Sequence, residues 1–130
     1  MILRKNISSG APWEAIVGYS RAVKVDNQVF VAGTTAVDAS GNIIGRGDAY
    51  KQTVEIFKKI KAALGESGAR FEDVVRTRIF ITDINDWEKI GKAHGEIFHT
   101  IRPAATIVEV KRLIHPDMLV EIEVDAVITG

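Results

Sequence analysis

Alternation and helical spacing divide the chain into a succession of short elements. Around Asp26 and Asn27, the stretch RAVKVDNQVFVAG reads as two β-rich runs joined by a tight hairpin. TTAVDASGNIIG continues extended and turns at Ser40, Gly41 and Asn42. From Asp48 the period changes. Thr53, Ile56, Phe57, Ile60, Ala63 and Leu64 recur at helical spacing with lysines opposite, which predicts an amphipathic helix capped by Asp48 and stopped at Gly65 or Gly68. VVRTRIFIT alternates, with Val75, Thr77, Ile79 and Ile81 on one face and Arg76, Arg78 and Phe80 on the other. Asn85 followed by Glu88 resembles a capping box, and Trp87, Ile90, His94 and Ile97 form the stripe of a second helix. Pro103 interrupts, AATIVEV reads as a strand and KRLIHPD as a loop. MLVEIEVDAVI then alternates with Met118, Val120, Ile122, Val124, Ala126 and Ile128 on one face.

The resulting order, ββ(β)αβαββ, predicts an α+β fold with both helices on one face of a single sheet. Residues 1–130 read as one domain, without linker, repeat or low-complexity segment. With 46% apolar residues the chain can build a core, yet a subunit of 130 residues leaves apolar surface that favours oligomerisation. The formal net charge is zero, so the basic footprint of a nucleic-acid binder is missing. Without cysteine there is no disulfide, thiolate catalysis or cysteine-ligated metal. The chain has no apolar run suited to a signal peptide or membrane span and reads as soluble and cytoplasmic.

The chemistry-bearing residues are few. Glu121, Glu123 and Asp125 share the polar face of the last strand pattern and repel one another unless water or cations intervene. Arg76 and Arg78 would supply those cations if their strand is a neighbour. Alternation alone accounts for such a ladder; the sharper reading has Glu121 projecting into a pocket to position water. His94 and His99 are five residues apart, about 140° around a helix, so they do not make a metal pair. His94 on the apolar stripe reads as a hydrogen-bonded core or interface histidine, and His115 as exposed. No serine nucleophile elbow occurs. GNIIGRGD lacks the ending of a phosphate loop, and its Arg46-Gly47-Asp48 reads as a loop leading into the cap. Trp13 and Tyr19, around a short segment before the first clear strand, suit either a lid over the core or the wall of a cleft.

VFVAGTTAV, DVVRTRIFITDINDWEKI and RPAATIVEVKRLIHPDMLVEIEVDAV together resemble the RidA/YjgF family, also called L-PSP-like, over nearly the whole length. The resemblance implies a chorismate-mutase-like fold, a homotrimer with small-molecule clefts between subunits, and chemistry without metal or cofactor. The best understood members hydrolyse reactive enamines and imines to keto acids and ammonia. In them an arginine near the start of the penultimate strand clamps the substrate carboxylate, while a glutamate on the last strand and backbone groups place water. Carried over, the glutamate falls on Glu121, the pocket tyrosine on Tyr19 and the glycine after the second strand on Gly33. Counting back from Val108-Glu109-Val110, with Pro103 and Ala104 matching, the clamp position falls on Ala105. The clamp is absent. Arg102 lies three residues earlier, about 10 Å of extended chain away, and on the opposite face unless Pro103 bends the strand. Arg21 and Arg78 are further candidate cations for the cleft.

The sequence expectation is therefore a cofactor-free hydrolase or deaminase of small enamines or imines, with a non-classical substrate. Glu121 would orient water, backbone donors near Gly33 and Thr106 would stabilise developing charge, and Tyr19 and Trp13 would wall the cleft. The alternative is a trimeric small-molecule-binding or regulatory protein without turnover.

Overall fold

The computed structural model describes residues 3–130. In chain order its elements are β1 (Arg4–Ile7), α1 (Pro12–Val17), β2 (Ala22–Val25), β3 (Gln28–Thr34), α2 (Ala49–Glu66), β4 (Val74–Ile81), α3 (Trp87–Phe98), β5 (Ala104–Glu109) and β6 (Val120–Val127). Short 3-10 turns, Phe71–Asp73 and Ile84–Asp86, precede β4 and α3. All six strands join one mixed sheet in the order β1-β2-β3-β6-β4-β5. Only β4 and β5 run parallel, as a strand–helix–strand crossover through α3 requires. The last strand in sequence lies at the centre, between β3 and β4.

The inward residues of β6, Val120, Ile122, Val124 and Ala126, are buried beneath α2, whose Ile56, Phe57, Ile60 and Leu64 fill the layer above. Phe57 packs edge-on against Phe71, His94 and Phe98, at ring separations of 5.5 to 6.2 Å, the geometry that aligns a positive ring edge with a negative face. The Asp48 carboxylate accepts the Lys51 N–H at 2.9 Å and caps α2 as expected. The helix ends at Ser67 and Gly68, the latter left-handed at φ +81°, so Gly68 and not Gly65 is the stop.

Four local expectations require correction. In β4 a bulge between Val74 and Arg76 inserts a residue, so Val74 faces the core while Val75 is exposed; the predicted alternation holds from Thr77 onward. The predicted capping box at Asn85 does not form. Asp83 accepts the Asn85 N–H and caps the 3-10 turn, and α3 begins at Trp87 without a side-chain cap. Trp87, in the first turn beside exposed Ile84, lies outside the packed stripe, which runs through Ile90, Ala93 and Phe98. Finally, the segment after β3 is a loop with a single bridge, Val37 to Ile43, rather than a third extended run.

Candidate functional site

The sheet has one covered face and one open face, and strand pairing decides which residues share the open one. Glu121, Glu123 and Asp125 of β6 face away from the helices, opposite Phe80, Arg78 and Arg76 of β4 respectively. Phe30 of β3 pairs with Asp125 from the other side. Arg78 Nη1 lies 3.1 Å from Asp125 and 3.3 Å from Glu123. Two rungs of the ladder, Glu123 and Asp125, are therefore bridged across the strand boundary by the arginine that alternation placed on that face. Arg78, engaged with two carboxylates, is already partnered within the chain.

Glu121 is different. Among the described residues no ion pair reaches it, and its carboxylate lies against the backbone of Gly33: a Cβ built there would come within 3.0 Å of Glu121 Cδ and 3.3 Å of Cγ, and closer still to Oε2. Only glycine allows a carboxylate to settle so near the strand. The register shift between Val31 and Thr34 is the irregularity at this point in the ladder. Burial pushes the Glu121 carboxyl up from the usual carboxylate range; the nearby Arg21 charge opposes this and Glu123 reinforces it. A half-buried carboxylate of raised basicity beside a strand end is suited to taking a proton from water.

Arg21 Nη2 donates to the Gly33 carbonyl at 3.1 Å and Nη1 to Thr34 Oγ1 at 3.3 Å. Its Cζ lies 5.7 Å from the centre of the Tyr19 ring. Tyr19 and Trp13 are both exposed, 39% and 57%, so neither is a core residue. Trp13 stands on α1, a six-residue helix that sequence reasoning missed because it is too short to display a period. Within α1, Glu14 is only 6% exposed and its carboxylate accepts from the Ser8 hydroxyl at 2.8 Å and from both the hydroxyl and N–H of Ser9. Burial works against its ionisation, but the serine hydrogen bonds and the Arg21 charge outweigh it and hold the carboxyl below its usual range. That offset of five or six residues across a turn belongs to no regular period, so no sequence signal marks it.

An open hollow of about 660 Å³ lies beside this cluster, walled by Arg4, Glu14, Tyr19, Phe30, Glu123 and Asp125. Glu121 is not among its walls, so the hollow and the carboxylate are adjacent features rather than one closed pocket.

Strand β5 stands apart. It is separated from β6 by β4, and all but Ile107 of its residues are exposed. Ala105 is in register with Thr77, whose side chain is buried on the helical side and whose hydroxyl lies 2.9 Å from His94 Nε2. Neighbours in register project to the same face, so Ala105 looks toward the helices while Thr106, beside Arg78, looks toward the open face. Within one chain Ala105 and Glu121 are two strands apart and on opposite faces. Arg102 is not in the strand at all: it occupies the turn after α3 at φ +55°, its N–H bonded to Phe98 O, so strand alternation does not govern its direction. It borders a second hollow with His94, His99 and Pro103. His94 is the hydrogen-bonded, half-buried histidine the stripe implied. Among the described residues no His, Asp and Glu group is arranged to hold a metal ion, and no helix is long and apolar enough to cross a membrane.

Comparison with known proteins adds to this geometry. The family model described as endoribonuclease L-PSP matches residues 9–128. A RutC family protein of Pyrococcus abyssi is 41% identical over 105 residues, covering 81% of this chain and 82% of its own. The 3-aminoacrylate deaminase RutC of Acinetobacter baylyi is 36% identical over 104 residues, covering 80% and 82%. The crystal structure of a Mycobacterium tuberculosis member of the YjgF/YER057c/UK114 family is 45% identical, covers 97% of this chain and 100% of its own, and superposes with a TM-score of 0.88.

Proposed function

The chain belongs to the endoribonuclease L-PSP family, and from that premise we propose that it is a cofactor-free deaminase of small enamines and imines whose recognition does not depend on an arginine at position 105. The observation that carries this reading is the seat of Glu121: a half-buried carboxylate of raised basicity lying against Gly33. In the reaction, water adds to the imine carbon as Glu121 accepts its proton. Glu121 returns that proton to the nitrogen, giving the carbinolamine. This collapses as its hydroxyl proton, the second from water, passes to the amine and ammonia leaves, giving the carbonyl product; an enamine enters after tautomerising to the imine. Backbone donors at Gly33 and, from another copy, near Thr106 would hold the developing charge. Tyr19 and Trp13 would wall the cleft. The placement of Glu121 and Ala105 two strands apart and on opposite faces favours a cleft completed by a second chain, as in a homotrimer.

Ala105 sets the substrate. No planar cation at that position can grip an α-carboxylate bidentately, which argues for imines lacking that group or presenting it elsewhere. The deaminase relative acts on 3-aminoacrylate by its name, so that enamine belongs in the substrate panel. The alternative, small-molecule binding without turnover, is favoured by the same Ala105 and shares the cleft.

The test generates 2-iminopropionate, 3-aminoacrylate and an uncharged imine in situ and follows ammonia release. Catalysed release is expected from the latter two, lowered about 100-fold in Glu121→Ala and clearly reduced in Gly33→Ala, which crowds the carboxylate without removing it. Release from 2-iminopropionate should approach the spontaneous rate and rise in Ala105→Arg. Efficient 2-iminopropionate turnover by the unaltered protein would refute the role given to Ala105. Ligand binding without any turnover would leave the binding reading in place.

A further inference from the structure

Arg21 is the hub of the charges around the β3 end. Three ionisable side chains from three elements feel it: Glu14 of α1, Lys59 of α2 and Glu121 of β6. Its fork is committed to two acceptors on consecutive residues, the Gly33 carbonyl and the Thr34 hydroxyl, and its Nε is buried with no hydrogen-bond partner among the described residues. Thr34 is itself fully buried and its hydroxyl donates to the Ala32 carbonyl at 2.8 Å. A guanidinium held this way has little freedom to swing out and grip a ligand. Gly33 meanwhile carries the Glu121 carboxylate against its Cα. Guanidinium and carboxylate thus share one glycine, the cation bonded to its carbonyl and the anion resting where its side chain would be.

We propose that Arg21 is a positioning residue for Glu121: pinned to Gly33 and Thr34, its guanidinium fixes the β3 end that seats the carboxylate and places a permanent positive charge beside it. The charged groups around Glu121 fit the role. On β6, Glu123 repels it; on β4, its register partner Phe80 is uncharged, and Arg78, the next cation along, is paired with Glu123 and Asp125. Lys59, from α2, is held by the Thr35 and Val37 carbonyls at 2.7 and 3.0 Å. Burial, with Arg21 adding to it, pulls the Lys59 ammonium below the usual lysine range. Arg21 is therefore the cation that offsets desolvation and Glu123 at this carboxylate. Lysine would keep the charge but lose the planar two-acceptor fork.

This deepens the reading of Glu121 as the water-positioning group, and its test does not depend on turnover. In protein with ¹³C-labelled glutamate carboxyls, the Glu121 resonance is assigned by its loss in Glu121→Gln and titrated in the unaltered protein, Arg21→Gln and Arg21→Lys. The Glu121 midpoint should rise by at least about half a pH unit in Arg21→Gln and by less in Arg21→Lys, which keeps the charge without the fork. In Arg46→Gln, which removes an exposed partner of Asp117, it should not move. If Arg21→Gln does not fold, Thr34→Val loosens the same guanidinium and should raise the midpoint in the same direction. A midpoint unchanged in folded Arg21→Gln, or in folded Thr34→Val where it stands in, overturns the proposal. Where an imine is turned over, the acid limb of kcat/KM should move with the resonance. A resonance that shifts while no imine is deaminated leaves Arg21 as proposed and removes only the deaminase reading.

Discussion

His94 illustrates how a single residue acquires its character from packing. Its ring meets Phe57 edge-on and Phe98 at a tilt, its Nε2 lies against the Thr77 hydroxyl, and among the described residues no ion pair reaches it. Burial therefore lowers its pKa below the usual histidine value of 6.5. The unfolded chain then binds the proton more readily than the folded one, so this residue's contribution to stability is complete above pH 6.5 and is lost progressively as pH falls below it. Urea denaturation between pH 7.5 and 5 should show that loss, and His94→Gln should flatten the slope without abolishing folding. An equal slope in both proteins would contradict the assignment. At this scale the sequence was partly legible. The stripe pointed to a hydrogen-bonded His94, and alternation put Glu121 and Arg78 on one face. Neither pattern told Glu121, resting on Gly33 with no ion pair among the described residues, from Glu123 and Asp125, which Arg78 bridges.

At the scale of elements, helix ends and loops are held by specific polar groups. Gln52 is fully buried on α2; its Nε2 donates to the carbonyls of Gly45 and Asp117, and its Oε1 accepts the Leu119 N–H at 2.9 Å. One side chain thus ties the loop before α2 to the loop before β6. Gln52→Leu leaves the half-buried Asp117 carbonyl and Leu119 N–H without that partner, while Gly45 O keeps the Asp48 N–H, and should cost at least about 2 kcal/mol. Asp48→Ala, which removes only the α2 cap, should cost about 1 kcal/mol. Chemical denaturation of both variants gives the comparison, and a reversed order would mean the loops are held by other contacts. The long helices and the core strands were readable because each repeats its period for two or more turns or pairs. β1 and α1 were not: β1 buries only Ile7 and α1 spans six residues, so neither carries enough pattern to rise above loop composition. The Val74 bulge was invisible for a related reason, since a one-residue insertion changes pairing and not composition.

Across the whole molecule, the helices leave one face of the sheet uncovered. That face presents Phe30, 43% exposed, beside the Arg78, Glu123 and Asp125 network, next to the open hollow. A trimer would cover such a surface. Sedimentation should give a trimer for the unaltered protein and a smaller, still folded species for Phe30→Glu, which sets a new charge opposite Asp125. A monomeric unaltered protein would remove the trimer and, with it, the cleft shared between chains.

The sequence by itself determined the fold class, the family resemblance, the helical and open faces of α2 and β6 and of β4 from Thr77 onward, and the alanine at position 105. These follow from local periodicity and from motif order, which are properties of neighbouring residues. Only the tertiary structure decided that β6 lies between β3 and β4, that Gly33 receives Glu121, that Arg21 is bound to the same glycine, and that Ala105 faces away from Glu121. Those relations depend on which strands pair and in what register, and contacts between residues nearly ninety positions apart leave no periodic trace in a single chain.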